Sequence, residues 1–366
     1  MANRQKAPRR NSGKKGKSTR ILITVLLVLL FLILLAAAVF CILSSKGKKD
    51  LLKSELTPEI EITVPSLDVE EGEEPILEDD GKTVTYNGKR YVLNENITSI
   101  LFLGIDKDNL EEGKDIVGNN GQADCIFLGI MDTQTGKVSL LAISRDSMVD
   151  INTYDKDGNF HGVENRQLCL AYAYGNGKAT SCENVARSVS RLLYGMPIQS
   201  YAAIPLDAIA DLNDAVGGVE VTIPEDSALS TDLFKPGQKI VLKGKQAQIF
   251  VQSRDTELLD SNLARMARQK QYLMNFAQKV LKATKEDLTI PLKLYQIAMD
   301  KNNMVTNVTV SKVSYLATRI LDVDFSEENL KNVPGEVVKG EQYAEYHVDD
   351  AKLYEMILEL FYVPEE

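Results

Sequence analysis

Asp106, Asp124, Arg145 and Asp146 stand at the ends of short apolar runs, spaced so that a sheet would gather them. The link from Asp132 to Lys137 is short enough to make Cys125 to Met131 and Val138 to Ser144 an antiparallel hairpin, which sets Asp124 beside Arg145. If the run from Ile100 to Ile105 is also antiparallel to the second, Asp106 joins them at one sheet edge, the usual place for ligands in α/β proteins. Two carboxylates there suit a hard cation such as Mg2+, which takes oxygen ligands and shares them with phosphate. A plainer reading stands beside this one, because Asp at a strand end is often only a turn or capping residue.

A second constellation is Arg254, Asp260, Arg265, Arg268 and Gln269, the last three at i, i+3 and i+4 of a helix that starts after Asp260. They share a face, while Leu263, Met266, Ala267, Leu273 and Met274 fill the other, so the spacing predicts an exposed basic stripe over an apolar one. Guanidinium forks fit phosphate oxygens two at a time; a solvated face with local ion pairs is the plainer alternative. His161 and His347 have no metal or triad context and are read as surface residues. Cys169 and Cys182 enclose a short loop, leaving a disulfide and two free thiols both open. Cys125, inside an apolar run, reads as packing.

The elements that must position these residues are legible in outline. Thr83 to Tyr86, Asn87-Gly88 and Lys89 to Leu93 form the pattern of a hairpin with a type I′ turn. The three apolar runs from Ile100 onward are too short for helices and read as buried strands. Thr180 and Glu183 make a capping-box signal ahead of Val185, Val189, Leu192 and Leu193, and that helix ends by Gly195 and Pro197. Further helices are expected over Asp207 to Ala215, from after Asp260 to about Thr284, and over Tyr315 to Ile320 and Ala351 to Leu360, with a strand from Val219 to Ile223. The sum is an α/β domain over residues 83–366, a central mixed sheet flanked by helices on both faces.

Location follows from the other end of the chain. Residues 21–43 carry no charge and are long enough to cross a bilayer as one helix. The twenty residues before them hold eight bases and no acid, which keeps that end in the cytoplasm and puts the rest outside the cell. A cleaved signal peptide, with Ala36 to Ala38 at the cut, is the alternative. Residues 44–82, with Pro58, Pro65, Pro75 and an acidic run, read as a flexible stalk. Past the tail, 34 bases face 52 acids, a formal charge of −18 that disfavours nucleic acid as a partner.

The segments SILFLGID, ADCIFLGIMD, VSLLAISRDSMVDI, LAYAYGNG, LNDAVGGVEVTI and DSNLARMARQKQ, in this order between residues 97 and 273, resemble the LytR-CpsA-Psr family of cell-envelope phosphotransferases. The resemblance implies a groove for a polyprenyl chain. It further implies Mg2+ on Asp106 and Asp124, a pyrophosphate held by Arg145, Arg254, Arg265, Arg268 and Gln269, and catalysis by Asp124, Arg145 and Arg265. The expected reaction transfers a polyprenyl-pyrophosphate-linked glycopolymer, such as teichoic acid or capsule, to peptidoglycan. A non-catalytic envelope-binding or regulatory module and a polyprenyl-pyrophosphate phosphatase are the rivals. The chain departs from the family pattern at Gln122 and Gln252, where arginine is frequent.

Overall fold

The computed structural model describes residues 40–53, 56–57, 60–67, 74–110, 118–224, 229, 233–255, 261–300, 304–319 and 326–365. A helix α1 covers residues 40–52. Strands β1 (Ile76–Leu77), β2 (Thr83–Tyr86), β3 (Lys89–Leu93), β4 (Ile97–Ile105), β5 (Ala123–Asp132), β6 (Val138–Ile143), β7 (Met148–Tyr154) and β8 (Phe160–Gln167) follow. Then come the single turn α2 (Leu170–Ala173), α3 (Ala179–Leu192), β9 (Ser200–Pro205), α4 (Ala208–Ala215), β10 (Val219–Thr222), β11 (Lys239–Leu242), α5 (Lys245–Gln252) and α6 (Ser261–Glu286). The chain closes with α7 (Ile290–Met299), β12 (Val305–Thr306), α8 (Val310–Arg319), β13 (Leu330–Asn332), β14 (Gly335–Lys339), β15 (Ala344–Val348), α9 (Asp350–Phe361) and β16 (Tyr362–Pro364).

Six of these strands form a mixed central sheet in the order β12, β9, β4, β5, β6, β13. The two central pairings, β4 with β5 and β5 with β6, are antiparallel, the second as its short link requires and the first across the longer connection 106–122, whereas β9 and β13 join parallel from distant parts of the chain. Strand alternation gives the sheet two different apolar faces. Leu101, Leu103, Ile126, Leu128, Leu141 and Ile143 pack with α3 and α9 through Val185, Val189, Leu353 and Ile357, forming the largest core cluster. On the other face Phe127, Leu140 and Ala142 meet Met266 and Leu273 of α6. A smaller core joins β10, β11 and α5 to α6 around Phe250 and Tyr272. The fold is thus α/β with helices on both faces of a mixed sheet.

The second face is not filled. Between it and helices α4, α6, α7 and α8 run two adjoining apolar cavities of about 400 and 410 Å3, both bordered by Ile100, Phe102, Leu273, Phe276 and Leu294. Phe102, in the middle of a central strand, is therefore 41% exposed. Its ring lies over Gly129 of the neighbouring strand, where an added Cβ would stand 2.9 Å from Phe102 Cε2.

Asn87 and Gly88 take φ values of 49° and 69°, the positive angles that a type I′ turn demands, so the hairpin stands as its sequence pattern predicts. Elsewhere the sequence misleads. The capping box does not form: α3 begins at Ala179 with Lys178 as its cap, and Ser181 Oγ instead accepts from Gly177 N at 2.8 Å in the preceding loop. The stalk reading of residues 44–82 is corrected wherever they are described. Leu51, Leu56 and Leu67 are buried, Thr98 Oγ1 donates to Leu51 O at 3.0 Å, and Thr63 N donates to Tyr194 O at 3.0 Å. These scattered apolar residues dock on the sheet and on α3, and β1 already pairs with β2, so the domain starts well before residue 83. Of the expected span 21–43, residues 21–39 lie outside the described ones and 40–43 open α1; no described helix is long and apolar enough to cross a membrane.

Candidate active site

The site forms where the ends of β4, β5 and β6 meet the first turns of α6. Gly104 pairs with Cys125 but Ile105 pairs with Ala123, which leaves Asp124 as the extra residue of a β-bulge. Such a bulge re-aims a side chain that alternation would otherwise commit to a fixed face. Cys125 lines the cavity and Ala123 is wholly buried in the opposite core, while Asp124 stands at the sheet end between two arginines. Its Oδ1 accepts from Arg145 Nη1, and its Oδ2 accepts from Arg265 Nη1 at 2.8 Å.

Arg145 stands two residues past the end of β6. Its Nη2 donates to Gln122 Oε1 and to Cys169 Sγ, the latter at 3.0 Å, and its Nε lies 3.4 Å from Asp146 Oδ1. Asp106, at the end of β4, accepts from Gln122 N and sits at the rim, open to solvent. The protein crowded around it still raises its carboxyl above the ordinary range by desolvation, with Asp124 adding to the effect and Arg145 opposing it. Burial likewise pushes up Asp146, against the pull of Arg145, Arg265 and Arg254.

The polar stripe of α6 is turned the other way from its sequence reading. Arg265, Arg268 and Gln269 are all buried, because β5 and the end of α5 supply partners to them, joined for Arg265 by Asn262 on α6 itself. Arg268 donates to the carbonyls of Phe250 and Ser253, and Gln269 Nε2 to Val251 O at 3.1 Å. Both therefore fasten the C-terminus of α5 to α6, and Gln269 also borders the cavity. They fix the position of Arg254, which is exposed just past α5 and whose charge acts on both Asp146 and Arg265. Arg145, Arg265 and Arg254 thus present to the site, while Arg268 Nε and Nη2 turn to the end of α5. Asn262, one helical turn before Arg265, is a site residue that sequence reasoning misses; its i−3 spacing to Arg265 is the signal that could find it. Its Oδ1 accepts from Arg265 Nη2 at 2.8 Å and its Nδ2 donates to Asp146 Oδ2 at 2.7 Å.

The disulfide is not formed: Cys169 and Cys182 are both free and buried. Cys169 faces Arg145 in the site, whereas Cys182 lies on α3 within the large core, in the electrostatic reach of Tyr172 and Tyr201. Burial pushes the Cys169 thiol up to about 11, with Arg145 only partly offsetting it.

For a cation, the arrangement offers Asp106 and Asp124 at one edge. No group of three or more carboxylate, histidine or cysteine side chains converges among the described residues. Two carboxylates match the sparse protein ligand set that Mg2+ takes when phosphate and water supply the rest, and a cation would relieve the desolvated Asp106 beside Asp124.

Comparison with known proteins bears on the family and the fold. The chain is 26% identical over 238 residues to biofilm regulatory protein A of Streptococcus mutans, covering 62% of this chain and 54% of that protein. It is 26% identical over 227 residues, 61% of this chain and 63% of the relative, to the polyisoprenyl-teichoic acid–peptidoglycan teichoic acid transferase TagU of Oceanobacillus iheyensis. The matches thus span less than two thirds of these relatives' own lengths. In structure, it superposes on Bacillus subtilis TagV with a TM-score of 0.55 at 20% identity, covering 72% of this chain and 95% of that one. A Streptococcus agalactiae protein gives 0.57 at 21% identity, with coverage of 72% and 86%. Those likenesses speak to the fold. Residues 68–360, well over half of the chain and the whole of the site, match the LytR_cpsA_psr family, and to that family the chain belongs.

Proposed function

We propose that this chain is a membrane-anchored phosphotransferase that moves a glycopolymer from a polyprenyl pyrophosphate onto a hydroxyl of peptidoglycan. The observation that carries the reading is the junction of two unlike environments: an apolar cavity under the sheet ends at Cys125 and Gln269, directly beside the Asp124, Arg145 and Arg265 cluster. An amphiphile with a long hydrocarbon tail and an anionic head fits that junction. The names of relatives as teichoic acid transferases support the same class of reaction.

In this reading the acceptor oxygen attacks the phosphorus that bears the glycan, the bond from that phosphorus to the bridging oxygen breaks, and polyprenyl phosphate leaves. Arg145 and Arg265, whose contacts burial strengthens, and the exposed Arg254 stabilise charge developing on the bridging and leaving oxygens. Asp106 and Asp124 would hold Mg2+, which neutralises phosphate charge. The proton of the acceptor hydroxyl passes to a carboxylate at this edge. Residues 21–43 would keep the domain at the outer leaflet, where the donor's head lies.

The test combines the full-length protein with a polyprenyl-pyrophosphate glycan, Mg2+ and peptidoglycan. Wall-linked polymer together with polyprenyl phosphate is expected. Release of polyprenyl phosphate without wall-linked polymer would make the protein a pyrophosphatase, and binding without release would make it a binding module.

A further inference from the structure

The side chains of the site close into a ring. Arg145 Nη1 meets Asp124 Oδ1, Asp124 Oδ2 meets Arg265 Nη1 at 2.8 Å, and Arg265 Nη2 meets Asn262 Oδ1 at 2.8 Å. Asn262 Nδ2 then meets Asp146 Oδ2 at 2.7 Å, and Asp146 Oδ1 pairs with the charge of Arg145, 3.4 Å from its Nε, which completes the circuit by an ion pair rather than a hydrogen bond. Four of the five members are charged and their charges cancel. The fifth is neutral and must accept from a guanidinium on one side while donating to a carboxylate on the other. A side-chain amide does both from one plane.

Asn262 and Asp146 are buried, at 8% and 9% exposure, and Asp146 is further pinned by Gln167 Nε2 at 3.3 Å and through its backbone to β15 at Tyr346. Asn262 Nδ2 also reaches Ser144 Oγ at 3.5 Å. The ring therefore links α6 to the end of β6, two elements whose closeness sets the gap between the two guanidiniums.

We propose that Asn262 is a positioning residue: acting through Asp146 and Arg265, it fixes the spacing and relative plane of Arg145 and Arg265 so that they receive a two-phosphate head already aligned. This role rests on the pyrophosphate-donor reading above. Asn262 itself need not touch the donor. Its amide matters because a carboxylate at 262 would face Asp146 with like charge, and an apolar side chain would leave both Asp146 and Arg265 short of a partner.

The ring makes a reciprocal exchange possible. In Asn262→Asp the new carboxylate still accepts from Arg265 but opposes Asp146. In Asp146→Asn the single amide oxygen must serve either Asn262 or Arg145 and Gln167, and the amide nitrogen meets donors on the other side. Combining them restores one donor facing one acceptor between positions 146 and 262, with the net charge unchanged. The experiment titrates inorganic pyrophosphate with Mg2+ into the full-length protein in detergent by calorimetry, below the melting temperature of every variant, alongside kcat and KM for transfer. Each single variant is expected to weaken pyrophosphate binding by about tenfold to a hundredfold, and the double variant to return to within about threefold of wild type. Wild-type affinity in both single variants overturns the proposal. So does a double variant as weak as the singles, since ring complementarity would then not be the cause. A wild-type protein that binds no pyrophosphate overturns the donor reading itself and this role with it, a result distinct from the other two.

Discussion

At the scale of residues, the chemistry rests on forks rather than on charge alone. Arg265 uses separate nitrogens for Asp124 and Asn262, so a lysine in its place keeps the charge and loses the geometry. Arg265→Lys is expected to lower the transfer rate by roughly a hundredfold or more, read from kcat at a temperature where a thermal scan shows both proteins folded. Thiol chemistry gives a separate check. Burial raises Cys169 to about 11 and Cys125 to about 12, and raises Cys182 as well, so all three stay protonated at pH 8. Alkylation at pH 8 should therefore spare Cys125, Cys169 and Cys182 in the folded protein and label all four thiols once the chain is unfolded without reductant. Two unlabelled cysteines after unfolding would reinstate the disulfide. The neighbourhood of Asp106, Asp124 and Arg145 is legible in the sequence because strand ends and one short link determine it. Arg268 is misread there because its partners are carbonyls of α5, eighteen and fifteen residues away, which no spacing on α6 reveals.

At the scale of elements, what the sequence displays is local pairing and what it hides is long-range closure. The Asn87-Gly88 turn and the Asp132 to Lys137 link announce their hairpins. The parallel additions of β9 and β13, and the pairing of β16 with β3, bring together segments with no local signal. The same holds for residues 60–67. Pro65 and the acidic surroundings suggest a free spacer, yet Ile62, Val64 and Leu67 lie on the large core, and Gly195 past the end of α3 makes room for them. Gly195 has a φ of +84°, and a Cβ there would stand 2.1 Å from Glu61 O. Gly195→Ala is thus expected to cost more than about 1 kcal/mol and to speed proteolysis within 60–67, read from urea unfolding and timed digestion. Unchanged stability and digestion would mean that this segment does not hold to α3.

At the scale of the whole molecule, the reading joins an anchor to a site that handles a lipid-borne anion. Removing residues 1–39 should lower transfer from a vesicle-embedded donor by at least about tenfold while sparing a short-chain donor in detergent, since only the first depends on tethering. Equal losses with both donors would assign those residues another role. The cavity beneath the sheet has a consequence of a different kind. Two spaces of about 400 and 410 Å3 that open to solvent leave their apolar lining wet, and a hydrocarbon chain entering them takes that lining out of water. Uptake of a polyprenyl phosphate should then carry a negative heat-capacity change, read by calorimetry at several temperatures, whereas inorganic pyrophosphate should give little. Heat capacity thereby becomes a gauge of whether the cavity is filled, one that needs neither turnover nor knowledge of the sugar at the far end of the donor.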